Sequence, residues 1–514
     1  MIAALPSVIN PFPGLRSFEA SEAHLFFGRE AHVDELLRKL ERSHFVAVVG
    51  TSGSGKSSLV RAGLVPSLEA GYLASAGSGW KIALLRPGLD PIQSLARSMA
   101  RFYSAALAGA DAETREVLVE TTLRRSSLGL IAAAREAAIS SSDNLLVIVD
   151  QFEEIFRFRR NRASDAELHE NTAAFVKLLL QAAAAPETGI FIVLTMRSDF
   201  LGDCPQFPGL PEAINDGQYL IPRMTRDERR TAIEGPIAVG AAAITARLVQ
   251  RLLNDVGDNP DQLPVLQHAL MRAWSCWHES NSSNEPIDID DYERIGTMAH
   301  ALSLHADEAF LSLSPAHQAL AQQMFQALCE KDVEGREMRR PATLSEICAI
   351  TDQPEQDVVG VINAFRSQGR TFVVPSFPEP IRATSIIDIS HESLIRLWDR
   401  LRDWVDAEAQ SAATYRRLAE AALRFNEGAG SLWRDPELRL ALDWKERSRP
   451  NQAWADRYHP AFESAIEFLE RSRKARETQA RRRRMMVAAL VIAAASGTLA
   501  RRRRQLVPMV ELQS

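Results

Sequence analysis

Phe45-Val46-Ala47-Val48-Val49-Gly50-Thr51-Ser52-Gly53-Ser54-Gly55-Lys56-Ser57-Ser58 is the stretch that decides the fold. Its apolar run, Phe45 to Val49, reads as a buried strand. The residues after it match G-x-x-x-x-G-K-[ST] in full and lead into a helix from Ser58 to Ala62. Small residues let consecutive backbone N–H groups close around phosphates, and the helix N-terminus adds a favourable dipole. Gly50, Thr51, Ser52, Gly53, Ser54, Gly55, Lys56, Ser57 and Ser58 therefore form a nucleotide-phosphate cradle. In this pattern Lys56 reaches the β- and γ-phosphates, and the Ser57 hydroxyl ligates Mg²⁺.

Working outward, three more apolar runs follow, Ile82 to Leu85, Leu145 to Val149 and Ile190 to Thr195. Helical stretches at 30–42, 91–108, 129–139 and 172–185 surround them. Strands alternating with helices make an α/β core with a parallel sheet up to about residue 220. A phosphate loop needs a carboxylate at the end of a second strand to hold the metal, and Asp150 follows Val149 there. Glu153 and Glu154 come next; one is expected to polarise the attacking water and the other to be a solvated surface residue. Arg197 ends the fourth run, placed to sense a γ-phosphate.

From 221 to 290 the pattern is helical only. Residues 300–404 change again: short helices at about 316–329, 343–349 and 355–367, then extended runs Thr371 to Val374 and Ser385 to Ile389. A last helix, 391–404, carries Leu394, Leu397, Trp398, Leu401 and Trp404 on one side. Helices, a small hairpin and a closing helix describe a winged helix. Residues 405–470 are helical and rich in Arg, Ala and Trp.

The expected organisation is an N-terminal segment 1–30, a P-loop core 31–220 and an all-helical domain 221–299. A winged helix 300–404, a helical connector 405–470 and an Arg-rich tail 471–514 complete it. At 514 residues, several domains are expected. An apolar share of 46% with 25% charged residues excludes a wholly disordered chain, a collagen-like fibre and a polytopic membrane protein. Cys204, Cys276, Cys329 and Cys348 stand singly, which argues against a disulfide scaffold or zinc ribbon and for a reducing interior. Residues 1–13 lack the basic and apolar regions of a secretory signal, so a cytoplasmic location is expected.

Residues 471–504 carry 12 Arg or Lys against one acid, Glu477. That is +11 in a chain of net −6, so the remainder carries −17. An acidic body with a basic tail directs only the tail to an anionic surface. Within the tail, 485–500 is uncharged and bracketed by Arg481 to Arg484 and Arg501 to Arg504. As a helix its 16 residues span about 24 Å, short of the roughly 30 Å hydrocarbon core, though arginines at both ends can snorkel. A short transmembrane helix attaching the chain to the inner membrane, contact with an anionic bilayer surface and a soluble basic helix all remain open.

These residues together resemble a STAND NTPase, the signal-transduction ATPases with numerous domains, and within that class the bacterial novel STAND group. Asn10-Pro11-Phe12-Pro13-Gly14-Leu15 and Phe26-Phe27-Gly28-Arg29-Glu30 resemble its opening segment. The resemblance implies that Phe27, Gly28 and Arg29 lie near the adenine. Asp150-Gln151-Phe152-Glu153-Glu154 is similar to the spaced acids of NACHT ATPases. Gln262-Leu263-Pro264-Val265-Leu266 falls where STAND proteins place a proline against the adenine, with Gln262 where a glycine is usual. Ile389-Ser390-His391-Glu392-Ser393-Leu394 resembles the methionine–histidine–aspartate motif, which implies that His391 touches the ADP β-phosphate. Ser390 and Glu392 depart from that motif.

The resemblance implies an ATP-binding, slowly hydrolysing switch with ATP/ADP and Mg²⁺ as cofactors. ADP would close it through His391, and ATP would open it for oligomerisation with further copies of the chain. STAND proteins usually carry an effector domain before the NTPase and repeats after it. Neither is read here, which implies separate sensor or effector proteins as partners. Two alternatives stand beside this reading. A winged-helix DNA-binding regulator is disfavoured because 351–370 sets Arg366 and Arg370 against Asp352, Glu355 and Asp357. An AAA+-like motor is disfavoured by the spaced acids and by His391.

Overall fold

A computed structural model describes residues 10–104, 111–137, 143–161, 166–257, 262–280, 285–331, 335–367 and 369–506. The ends of two expected helices (105–108 and 138–139), residues 1–9 of the N-terminal segment and 507–514 of the tail lie outside the described residues. The chain forms two compact units. The first comprises Met1–Ala309, Phe365–Phe372 and Ser390–Trp398, and the second Phe310–Ala364, Val373–Ile389 and Asp399–Ser514.

Five strands build the sheet of the first unit: β1 Phe45–Gly50, β2 Trp80–Leu85, β3 Asn144–Val149, β4 Ile190–Arg197 and β5 Gln218–Leu220. Their order is β2-β3-β4-β1-β5 and every pairing is parallel. Strands covered on both faces read as continuous apolar runs, because side chains that alternate across the sheet are buried either way. Phe45, Ala47 and Val49 enter one core with Val147, Val149, Ile192 and Leu194. Val46 and Val48 enter the other with Leu146, Ile148, Phe191 and Val193. Helices Pro91–Ala100, Gly129–Glu136 and Ala166–Ala183 cover the first face, and Glu30–Ser43 contributes Val33, Leu36, Leu37 and Leu40 to the second. Burying each such side chain stabilises by about 1.5–3 kcal/mol.

All four apolar runs are strands, each one to two residues longer than its core at one end or both. Strand β5 and the helix Ala112–Arg124 are additions to the sequence reading. Only three residues long, β5 begins with a glutamine and leaves Leu220 59% exposed, so it offers no apolar run to detect.

The remainder of the first unit is helical: Arg226–Val239, Ala246–Asp255, Gln262–Glu279, Ile289–Arg294 and Thr297–Leu311, the last of which ends beyond Ala309. Thr225 and Glu228 form a capping box that starts this run. Trp274, Trp277 and Tyr292 fill its core with Leu248, Val249, Leu252 and Leu266. The single helix expected over 391–404 is two, Ser393–Leu397 and Asp399–Asn426. Trp398 breaks it with an extended backbone (φ −86°, ψ 102°). Its indole is fully buried and donates to Asp307 Oδ1 at 2.9 Å. Burying that large side chain with its donor satisfied outweighs continuing one helix.

In the second unit, helices Pro315–Ala327, Leu344–Thr351 and Glu355–Arg366 accompany an antiparallel sheet. That sheet pairs Ala342–Thr343 and Val373–Val374 with the central strand Ile386–Ile389. A separate hairpin joins Cys329–Lys331 to Glu337–Arg339, so the helix expected to reach 329 ends at Ala327. Helices Asp399–Asn426, Glu437–Ser448 and Phe462–Leu506 share a core of Tyr415, Leu418, Trp444 and Phe468. The uncharged stretch from 485 lies within Phe462–Leu506, with Met485, Met486, Val487, Leu490, Val491 and Ile492 exposed. Among the described residues no helix is long and apolar enough to cross a membrane. All four cysteines are free, two of them buried.

Candidate functional site

At the C-terminal end of β1 the chain turns through Gly53 and Gly55, whose φ values of +73° and +88° lie in the left-handed region that favours glycine. Ser54 Oγ donates to the Thr51 carbonyl at 2.9 Å and so closes the loop on itself. A helix starts at Lys56, adopts π geometry over Leu59–Leu64 and continues to Glu69. Short π segments concentrate at functional sites. Lys56 Nζ donates to the carbonyls of Gly50 (3.1 Å) and Thr51 (2.7 Å), which places the ammonium over the cradle. Burial pushes the Lys56 pKa down, while Glu153 and Asp150 pull it back up.

Strand β4 lies between β1 and β3, so Ser57 and Asp150 come from strands that are not neighbours. They nevertheless meet. Ser57 Oγ donates to Asp150 Oδ1 at 2.7 Å. Thr195 of the intervening strand donates to the same oxygen at 2.6 Å and accepts the Gln151 N–H at 3.0 Å. The other carboxylate oxygen takes Arg61 Nη2 at 3.0 Å. Asp150 is 1% exposed. Burial works to raise its pKa, but Arg61 and Arg86 with the two hydroxyls outweigh it, and the carboxyl sits below the usual range. Ser57 and Asp150 present hard oxygens side by side, a donor pair that fits Mg²⁺.

Past Asp150 the chain turns sharply at Gln151 (φ +59°), and Phe152 is sealed into the core. The two acids that follow diverge, and neither is the solvated residue expected of one of them: Glu153 is 6% and Glu154 5% exposed. Glu154 Oε2 accepts the Gly88 N–H at 3.1 Å. With its amide oriented to satisfy both neighbours, Gln151 links Glu154 to Arg86 at 3.2 Å each. Glu153 instead accepts the Arg197 N–H at 3.3 Å and feels the charge of Lys56. Burial raises its pKa, with Lys56 and Arg197 opposing. Glu153 thus faces the cradle, whereas Glu154 holds the loop after β2.

Arg197 makes a two-point contact with Asp199 (Nε 3.0 Å, Nη2 2.8 Å), and its Nη1 donates to Glu392 Oε1 at 2.5 Å. The next residue along, His391, turns inward to its own helix. Its Nδ1 accepts the Ser393 N–H at 3.1 Å and lies 2.9 Å from Ser393 Oγ.

On the expected adenine side, Arg29 is 5% exposed and donates to the carbonyls of Ser54 (3.2 Å) and Pro222 (3.0 Å), so it braces the phosphate loop. Gly28 (φ +79°) lies so close to the Glu228 carbonyl that an added Cβ would come within 2.4 Å of it. The Phe27 ring covers Gly235 in the same way, at 2.6 Å from a Cβ built there. Pro264 sits in the first turn of Gln262–Glu279. A cavity of about 400 Å³ borders this turn, lined by Gln262, Val265, Thr297, Ser393, Arg396 and Leu397. It brings the neighbourhoods of Pro264 and His391 to one place. Among the described residues no cluster of three or more His, Cys, Asp or Glu could hold a metal alone; a phosphate-loop site needs none, because nucleotide oxygens complete its shell.

Arg61, Thr195 and Glu392 are absent from the sequence-derived set. Arg61 lies four residues beyond Ser57, and Thr195 ends the fourth apolar run, so spacing could have raised both. Nothing local links Glu392 to a residue 195 positions away.

The family signature described as Novel STAND NTPase 1 matches residues 11–431. Comparison with curated proteins finds no match. Among solved structures, the Walker-type ATPase PABY2304 of Pyrococcus abyssi aligns over 74% of this chain and 98% of its own, at 13% identity and a TM-score of 0.35. Cdc6p from Pyrobaculum aerophilum aligns over 74% and 94%, at 12% identity and a TM-score of 0.33. The Aeropyrum pernix ORC2 protein in its ADPNP–ADP complexes aligns over 74% and 94%, at 14% identity and a TM-score of 0.36.

Proposed function

The chain belongs to the novel STAND NTPase 1 family, and from that premise we propose that it is an ATP-hydrolysing switch, closed with ADP and open with ATP. The open form oligomerises. Lys56 binds the β- and γ-phosphates, and backbone N–H groups from Gly50 to Ser58 line the cradle. Ser57 and Asp150 hold Mg²⁺, which when bound supplies positive charge against the developing charge of phosphoryl transfer. Glu153 accepts the proton of the attacking water, and Arg197 meets the γ-phosphate. Phe27, Gly28, Arg29 and Pro264 form the adenine side, and His391 lies on the β-phosphate side. Slow turnover follows from the starting state: burial opposes ionisation of the base, and Arg197 begins in partnership with two carboxylates.

The observation that supports the switch reading best is the return of Ser390–Trp398 to the unit that carries the phosphate loop, where Glu392 meets the γ-phosphate candidate Arg197. A winged-helix assignment for the short helices and sheet between 315 and 389 and a bilayer contact through Arg481 to Arg484 belong to the same proposal. So do separate sensor or effector partners and an interior location. Size exclusion with light scattering tests it, with ADP, with a nonhydrolysable ATP analogue and with Lys56→Ala. A monomer is expected with ADP and a larger species with the analogue, lost in the variant. Identical elution in all three refutes nucleotide-controlled assembly.

A further inference from the structure

The groups assigned to the γ-phosphate are held by the protein itself. Lys56 lies on two loop carbonyls, and Arg197 is shared between Asp199 and Glu392. The two acids differ in kind. Asp199 is two residues from Arg197, and its side chain is 42% exposed. Glu392 is 195 residues away and 8% exposed, at the start of the short helix Ser393–Leu397. Its nearest other cation is Arg396, at 4.0 Å. Its field also reaches Lys56, as do those of Glu153 and Asp150.

We propose that Glu392 is the residue that discriminates ADP from ATP in this pocket, by competing with the γ-phosphate for Arg197. The inference rests on the reading that Arg197 meets that phosphate. A triphosphate that recruits Arg197 strips Glu392 of its partner. It leaves a nearly buried carboxylate facing another anion, and like charges in a poorly solvated site repel strongly. A diphosphate makes no such demand, so the Arg197–Glu392 pair and the seat of Ser390–Trp398 survive. Discrimination therefore comes from a built-in repulsive element rather than from an extra attractive contact to ADP. The acid beside His391 carries the choice, while His391 Nδ1 serves its own helix start.

The test is the affinity of ADP and of a nonhydrolysable ATP analogue, both with Mg²⁺, by displacement of a fluorescent nucleotide. Glu392→Gln keeps the shape and removes the charge. It should leave ADP within about twofold of wild type and tighten the analogue at least tenfold, while Glu392→Asp should keep the wild-type ratio within about threefold. Glu392→Ser, which removes the carboxylate in a smaller side chain, should shift the ratio in the same direction as Gln. Equal shifts for both nucleotides, or an unchanged ratio in Gln and Ser, overturn the proposal. Light scattering on the same samples separates the two ideas. A changed ratio without assembly sinks the switch and keeps the discriminator; wild-type assembly with an unchanged ratio does the reverse.

Discussion

Replacing Arg61 by methionine should destabilise the empty protein far more than removal of a surface arginine. The Arg61 side chain is 15% exposed and joins Asp150, at 3.0 Å, to Glu19, at 2.7 Å. The Glu19 arm is half exposed and contributes about 0–1 kcal/mol. The Asp150 arm is different, because its carboxylate is almost wholly buried and keeps only the Ser57 and Thr195 hydroxyls once Arg61 is gone. Breaking a buried pair costs about 3–5 kcal/mol. Protonation sets a ceiling: neutralising an aspartate at pH 7 costs about 4 kcal/mol. The expected loss is thus about 3–4 kcal/mol, a fall in Tm of roughly 6–12 °C at about 2–3 °C per kcal/mol. In the variant Asp150 is a carboxyl with a raised pKa, so its penalty grows as pH rises and the gap from wild type narrows towards pH 5. Thermal unfolding at pH 5, 6 and 7 measures this, with and without Mg²⁺ and ADP. Ligand should restore part of the loss, because a metal at Ser57 and Asp150 replaces the missing positive charge. A gap below about 2 °C at pH 7, or one that widens as pH falls, refutes the reasoning.

Three further outcomes follow from the same geometry. Glu153→Gln should slow hydrolysis by about 10²–10⁴-fold with nucleotide affinity nearly unchanged, whereas Glu154→Gln should chiefly lower Tm through the loop at Gly88; single-turnover phosphate release and thermal melts separate the two. Thr195→Val keeps the shape but deprives Asp150 of its 2.6 Å donor and the Gln151 N–H of its acceptor, a loss of about 1–3 kcal/mol in denaturant unfolding. His268 and His305 lie 3.1 Å apart in the helical core, and burial pushes them down to about 3 and about 2. Unfolded histidines bind protons near pH 6.5 while these stay neutral when folded, so stability falls as pH drops below 6.5, by up to about 1.4 kcal/mol per unit for each. A variant with both histidines replaced by glutamine should lose that part of the slope between pH 6.5 and 5; an identical slope clears the pair.

The sheet was legible because four of its strands are buried on both faces and so carry unbroken apolar runs, and the phosphate loop because its chemistry is contained in consecutive residues. Lys56, Ser57 and Asp150 could be assigned without coordinates for the same reason: backbone geometry at a strand end is a local property. The short edge strand at Gln218 and the break at Trp398 were not legible. The first has no pattern to detect, and the second is set by a distant partner, Asp307, for a buried indole. Glu153 and Glu154 are equivalent as adjacent letters, and only packing against Lys56 on one side and Gly88 on the other gives them different surroundings.

What the order of residues determined alone is that this chain has a phosphate cradle on an α/β core with a metal carboxylate beside it. Which charges neutralise one another across that cradle was decided by the tertiary structure. Arg61 on Asp150 and Glu392 on Arg197 are pairings whose energy depends on distance and burial, and those quantities exist only once segments far apart in the chain have been brought together.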